Sequence, residues 1–200
     1  MNRTLPVTEH FYTVQGEGAN TGKAAYFVRL AGCNVRCSWC DSRNSWTEES
    51  AAKMTPEEIL EVVRGAGAEN VVITGGEPLM HDLDCLCRIL KEAGMKVFLE
   101  TSGSSPKSGS FDWICLSPKR NRLPLEENYH AADELKVVVG SDADFEWAEM
   151  NASKVGPVCR LFLQPEWNSL ETALPMIVDY VKRNPKWQIS LQTHKFMNIP

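Results

Sequence analysis

No apolar run in this chain approaches the roughly 18–20 residues that a membrane-spanning helix needs, so a helical membrane protein is not expected. The N-terminal stretch MNRTLPVTEHFYTVQG has no apolar h-region. It does not read as a secretory signal, and a cytoplasmic protein is expected. A basic stripe is missing as well, and the formal net charge is −5, which disfavours wholesale binding to nucleic-acid phosphates or to an anionic membrane. A disulfide framework is disfavoured because the seven cysteines are odd in number and follow no signal peptide. Repeats, low-complexity tracts and a linker are also lacking. The 43% of hydrophobic residues then suit one core in a single domain spanning residues 1–200.

What is present alternates strands with helices. Apolar strands are expected at residues 25–31, 71–74, 97–100, 113–116, 135–139, 161–163 and 189–192. Thr55-Pro56-Glu57-Glu58 reads as a helix start, with Thr55 as N-cap, Pro56 at the first position and Glu58 closing a capping box. Further helices are expected over 82–93, near 145–150 and after Asn168. Continuously apolar strands separated by helices indicate a parallel sheet of six or so strands, either doubly wound or an incomplete barrel. Between Ser102 and Leu135 helical cover is thin, so at least one crossover helix is expected to be missing. In either architecture the site belongs at the C-terminal ends of the strands.

Of the seven cysteines, Cys33, Cys37 and Cys40 crowd into Gly32-Cys33-Asn34-Val35-Arg36-Cys37-Ser38-Trp39-Cys40-Asp41. Thiolates are soft ligands that suit zinc or iron–sulfur clusters. Three can hold one face of a cubane and leave the fourth iron open. Structural zinc and ferredoxin-type clusters normally want four protein ligands, and no further cysteine pair follows at such spacing. The competing reading is one stripe of a buried helix, since the three lie at i, i+4 and i+7. Gly32 and Asn34 beside Cys33 argue against a helix start, and Arg36 and Trp39 are odd core neighbours.

Together with Thr74-Gly75-Gly76-Glu77-Pro78 at a later strand end, this C-x3-C-x2-C loop resembles the radical S-adenosylmethionine (SAM) superfamily. The resemblance implies an α/β fold, an incomplete TIM-type (βα)6-like partial barrel with reduced helical cover. It implies a [4Fe–4S] cluster on Cys33, Cys37 and Cys40, with SAM at the open iron. The methionine amino group would be received by backbone carbonyls and by the Glu77 carboxylate. For the rest of SAM it points to Trp39, Cys40, Asp41, Gly76, Ser117, Pro118, Lys119, Gln164, Pro165, Glu166 and Trp167.

Four outlying segments narrow the resemblance: residues 12–18 (YTVQGEG), Phe27-Val28-Arg29, Trp39-Cys40-Asp41-Ser42 and Leu191-Gln192-Thr193-His194-Lys195. They are similar to the 7-carboxy-7-deazaguanine synthase family, over nearly the whole chain. That family converts 6-carboxy-5,6,7,8-tetrahydropterin to 7-carboxy-7-deazaguanine with release of ammonia, towards queuosine and related 7-deazapurines. The resemblance implies that Val14, Gln15 and Gly16 approach the pterin edge and that Arg29 pairs with the substrate carboxylate. It also implies that Thr74 and the terminal carboxylate of Pro200 contact substrate and that Ser42 gives a hydroxyl to Mg2+. A homodimer and an external one-electron donor of flavodoxin or ferredoxin type are implied too. No residue is marked as a conventional acid or nucleophile. Two other readings stay open: an activating enzyme that generates a glycyl radical on a protein partner, and a non-catalytic iron–sulfur or zinc protein.

Overall fold

A computed structural model describes residues 4–200. Two antiparallel strands open the chain, β1 (Leu5–Val14) and β2 (Ala24–Leu30), paired from Val7↔Leu30 to Val14↔Ala24. A short β3 (Ala52–Met54) adds to the start of β1. From β2 onward the sheet is parallel through β4 (Asn70–Gly75), β5 (Lys96–Thr101), β6 (Trp113–Leu116), β7 (Glu134–Val139), β8 (Arg160–Pro165) and β9 (Trp187–Ile189). The order is β3-β1-β2-β4-β5-β6-β7-β8-β9, and its two ends do not pair with each other. The result is a partial barrel.

Among the described residues six α-helices accompany it: α1 (Pro56–Gly65), α2 (Asp84–Glu92), α3 (Glu126–Ala131), α4 (Ala143–Ala152), α5 (Leu170–Arg183) and α6 (Thr193–Met197). The capping box at α1 is present in both halves: Glu58 N donates to Thr55 Oγ1 at 3.2 Å, and Thr55 N to Glu58 Oε2 at 2.7 Å. Thin cover is found where it was expected. The connection from β5 to β6 carries no helix, and α3 has only six residues. No helix among the described residues is long and apolar enough to cross a membrane.

Strand side chains alternate between two faces. Outward, Val28, Leu30, Ile73 and Leu99 pack under α1 and α2, while Leu135, Val137, Val139 and Leu163 pack under α4 and α5. Inward, the barrel is layered. Paired register sets Phe27, Val72, Phe98 and Trp113 in one row, most of it apolar and closing the floor. The next row includes Glu100, Cys115 and Glu134. Above it lie Lys136, Val138 and Gln164. The inner face therefore becomes polar toward the C-terminal ends of the strands, where a ligand can be met.

Several elements differ from the sequence reading. Residues 5–14 form a strand, residues 52–54, 126–131 and 193–197 are also ordered elements, and the last strand is 187–189 rather than 189–192. β1 was hidden because Thr8, Glu9 and His10 interrupt its apolar character while it is only half covered.

Candidate functional site

The loop between β2 and β3 holds the three cysteines, all free and half-buried. All three line one cavity of about 260 Å³ at the C-terminal end of the barrel. Backbone bonds fold this loop onto the strand ends: Gly32 N donates to Ser45 O at 2.8 Å, Cys33 N to Trp46 O at 3.2 Å, and Glu77 N to Gly32 O at 2.8 Å. Gly76 must be glycine for this approach. An added Cβ would lie 2.3 Å from Gly32 O, 2.7 Å from Ser45 O and 2.8 Å from Cys33 Cβ. The Gly-Gly pair is thus the seat of the cysteine loop.

Burial pushes the Cys37 thiol up, the other two cysteines add to this, and the Lys119 ammonium pulls the other way. Three unbridged thiols lining one cavity are the donor set that a cluster with one open iron requires. Trp46 lines the cavity beside them. The residues present fit such a group.

Beside the cysteines, Trp39, Cys40, Asp41, Gly76, Ser117, Lys119 and Gln164 line the same cavity. Lys119 Nζ donates to Ser117 O and Oγ, both at 2.6 Å, and lies 5.6 Å from the centre of the Trp39 ring. Burial lowers its ammonium. Pro118 lines an adjoining hollow, and Pro165, Glu166 and Trp167 line another, shared with Trp39 and Asp41. Glu166 accepts from Asn168 N at 3.0 Å and Ser169 Oγ at 2.8 Å, so its carboxylate starts the turn before α5.

Glu77 is fully buried and is not among the residues that line the cavity. Oε1 accepts from Thr101 Oγ1 at 2.5 Å and Leu79 N at 3.0 Å, and Oε2 from Ser102 N at 2.8 Å and from Ser102 Oγ. A carboxylate engaged four times is a brace between two strand ends. The Glu77 amide, by contrast, bonds the cysteine loop at Gly32 O.

Val14, Gln15, Gly16, Arg29, Ser42, Thr74 and Pro200 line the same cavity. Arg29 donates through Nε to Glu9 Oε1 at 2.6 Å, and no other described residue pairs with it. Ser42 Oγ donates to Asp41 Oδ1 at 3.2 Å. Pro200 is brought in by the C-terminal segment: Thr193 N and Oγ1 both donate to Gly16 O at 2.9 Å, and Thr13 Oγ1 donates to Pro200 O at 3.1 Å.

Sequence reasoning passed over Glu17, Glu100, Lys136 and His194, which also line the cavity. Lys136 Nζ lies 2.6 Å from Glu17 Oε2 and 2.9 Å from Glu100 Oε2. Gln192 Nε2 donates to Glu17 Oε1 at 2.8 Å and to Asp41 Oδ2 at 3.1 Å, joining this cluster to the cysteine loop. The available signal was a lysine inside the apolar run ELKVVV, where an unpaired charge would be too costly to bury.

Known proteins place the chain. The Radical SAM superfamily model matches residues 28–135. The chain is 50% identical over 198 residues to 7-carboxy-7-deazaguanine synthase of Flavobacterium psychrophilum, covering 98% of this chain and 93% of the relative. Identity to the synthase of Synechocystis sp. is 46% over 196 residues, covering 98% and 94%. The crystal structure of QueE from Escherichia coli superposes with a TM-score of 0.81 at 30% identity, covering 94% of this chain and 93% of that one. The chain belongs to the radical SAM superfamily and, within it, to the 7-carboxy-7-deazaguanine synthase family.

Proposed function

We propose that this chain is a carbon–nitrogen lyase that converts 6-carboxy-5,6,7,8-tetrahydropterin to 7-carboxy-7-deazaguanine with loss of ammonia. The observation that carries the reading is a single cavity lined both by three free thiols and by Val14, Gln15, Gly16 and Arg29. Cys33, Cys37 and Cys40 would hold a [4Fe–4S] cluster. With SAM bound, that group supplies a carbon-centred radical able to remove hydrogen from an unactivated position.

The chain's own residues do the rest. Trp39, Ser117, Lys119 and Gln164 border the space for the nucleoside end of SAM, with Pro118, Pro165, Glu166 and Trp167 in the adjoining hollows. Gly76 offers backbone to the amino acid end. Arg29, using only Nε for Glu9 among the described residues, keeps its terminal nitrogens for a carboxylate fork. The Ser42 hydroxyl would serve Mg2+, which keeps most of its waters and takes few protein ligands. Thr74 and Pro200 close the substrate side, and the apolar floor of Phe27, Val72, Phe98 and Trp113 keeps water from entering below. The active form would be a homodimer reduced by a flavodoxin- or ferredoxin-type donor.

The test is anaerobic reconstitution with iron and sulfide, then incubation with dithionite, SAM and the tetrahydropterin, with and without Mg2+. Product with 5′-deoxyadenosine is expected, in greater yield with Mg2+. 5′-Deoxyadenosine without any deazaguanine would sink this assignment and favour action on another substrate.

A further inference from the structure

We propose that Lys136 is a positioning residue that holds Glu17 and Glu100 as a spaced, ionised pair of acceptors for the N–H edge of a planar heterocycle. This deepens the function proposed above and rests on it.

The three side chains come from three places: the turn after β1, strand β5 and strand β7. Their side-chain exposures are 5% for Lys136, 18% for Glu17 and 22% for Glu100. The cation is therefore sealed in, while both carboxylates remain open to the cavity that all three line. Glu17 Oε1 takes Gln192 Nε2 at 2.8 Å, and Glu100 Oε1 takes Gln15 Nε2 at 3.2 Å. With each Oε2 on Lys136, every carboxylate oxygen is aligned by a protein donor. A carboxylate has about four acceptor sites; Gln164 also bonds Glu17 and the Cys115 thiol also bonds Glu100, so each retains about one for a ligand. Such an acceptor pair suits an amidine or guanidine edge, as on a 2-aminopyrimidinone ring.

Stability does not explain the arrangement. A buried ion pair stabilises little compared with apolar side chains filling the same volume. Lys136 instead decides the charge state of its partners. Two carboxylates this close in a poorly solvated site, without a cation, would hold a proton between them. Burial would lower the Lys136 ammonium, but the Glu100 and Glu17 carboxylates against it outweigh burial and hold it well above its ordinary value. Burial likewise raises the Glu17 carboxyl, and Lys136 with Gln192 and Gln164 overcomes that to hold it low.

The other titratable groups facing the triad do not replace Lys136. Glu134, one row below, is pushed up by burial. The Cys115 thiol is pushed well up by burial. Lys119 and His194, at the rim, are both lowered by burial.

The experiment compares KM for the tetrahydropterin from about pH 6.5 to about pH 8.5 in the reconstituted wild type, Lys136→Gln and Lys136→Arg. In Lys136→Gln one proton shared by the carboxylates removes an acceptor near neutrality. Its KM is expected to rise about tenfold at the low end, the loss of one charge-assisted bond, and to recover as pH rises. Lys136→Arg should restore the wild-type profile. If KM of Lys136→Gln runs parallel to wild type across the range, the inference is overturned while the functional reading stands. A wild type that makes no deazaguanine overturns both. Should Lys136→Gln fail to fold, Glu17→Gln carries the test: a pH-independent rise in KM of similar size supports the inference, and an unchanged KM overturns it.

Discussion

The carbonyl oxygen of Gly16 accepts twice from Thr193, from its amide and from its hydroxyl, each at 2.9 Å. These two hydrogen bonds tie the turn after β1 to α6 and press His194 onto Gly16. A Cβ at Gly16 would lie 2.3 Å from His194 Nδ1 and 2.8 Å from its amide nitrogen. Gly16→Ala is therefore expected to cost about 1–3 kcal/mol by overpacking and to raise KM for substrate, read by thermal melting and steady-state kinetics. Gly65→Ala is the control. It ends α1 with open space around it and should be neutral or stabilise by about 0.4–1 kcal/mol.

At Gly76 the obstacle is backbone, which cannot swing away as a side chain can. Gly76→Ala should displace the cysteine loop through Gly32 O and Ser45 O. Iron and sulfide content after reconstitution should fall well below wild type. Full iron loading of Gly76→Ala would show that the loop does not depend on this seat.

The cysteines separate into two groups. Ala at Cys33, Cys37 or Cys40 should abolish the visible absorption of the reconstituted cluster and all 5′-deoxyadenosine formation. Ala at Cys85, which is exposed on α2, should leave both unchanged. Equal loss in all four variants would point to general damage rather than ligation.

Acid should loosen the tail before the rest of the protein. Burial holds the His194 imidazole below its ordinary 6.5, with Glu17 opposing. The unfolded chain binds that proton more readily, so stability falls as pH drops from about 6.5 toward the lower folded value. Glu17 acts in a lower window: its carboxyl is held below 4.5, so its contribution is present above that pH and lost as pH falls through the folded value. Glu134 has the opposite sign, since burial raises it and protonation favours the folded form. Urea unfolding from about pH 3 to pH 8 should show a decline beginning below about pH 6.5 that His194→Gln flattens. A decline that persists unchanged in His194→Gln would rule out this imidazole as its source.

Glu77 shows where local reading stops. Its position after Gly75-Gly76 places it at a strand end beside the cysteine loop, which sequence could tell. Its rotamer was settled by Thr101, Ser102 and Leu79, two of them 24 and 25 residues away. Glu77→Ala should therefore cost about 1–3 kcal/mol or more by leaving buried donors unmet, measurable by urea unfolding without cluster or SAM. A loss of activity with stability intact would restore a direct contact to SAM.

By itself the sequence determined whatever depends on neighbours along the chain. Three thiols within eight residues stay together in any fold of that loop, and the α1 capping box closes over four residues. The parallel strands follow from their own apolar runs. Tertiary structure alone decided the direction of Glu77, the path that carries residues 193–200 to Gly16, and the meeting of Glu17, Glu100 and Lys136. Those residues are separated by 36 to 119 positions. Glu100 and Lys136 become neighbours because parallel crossovers return β5 and β7 to the same end of the sheet, and the turn after the antiparallel β1 brings Glu17 to that end.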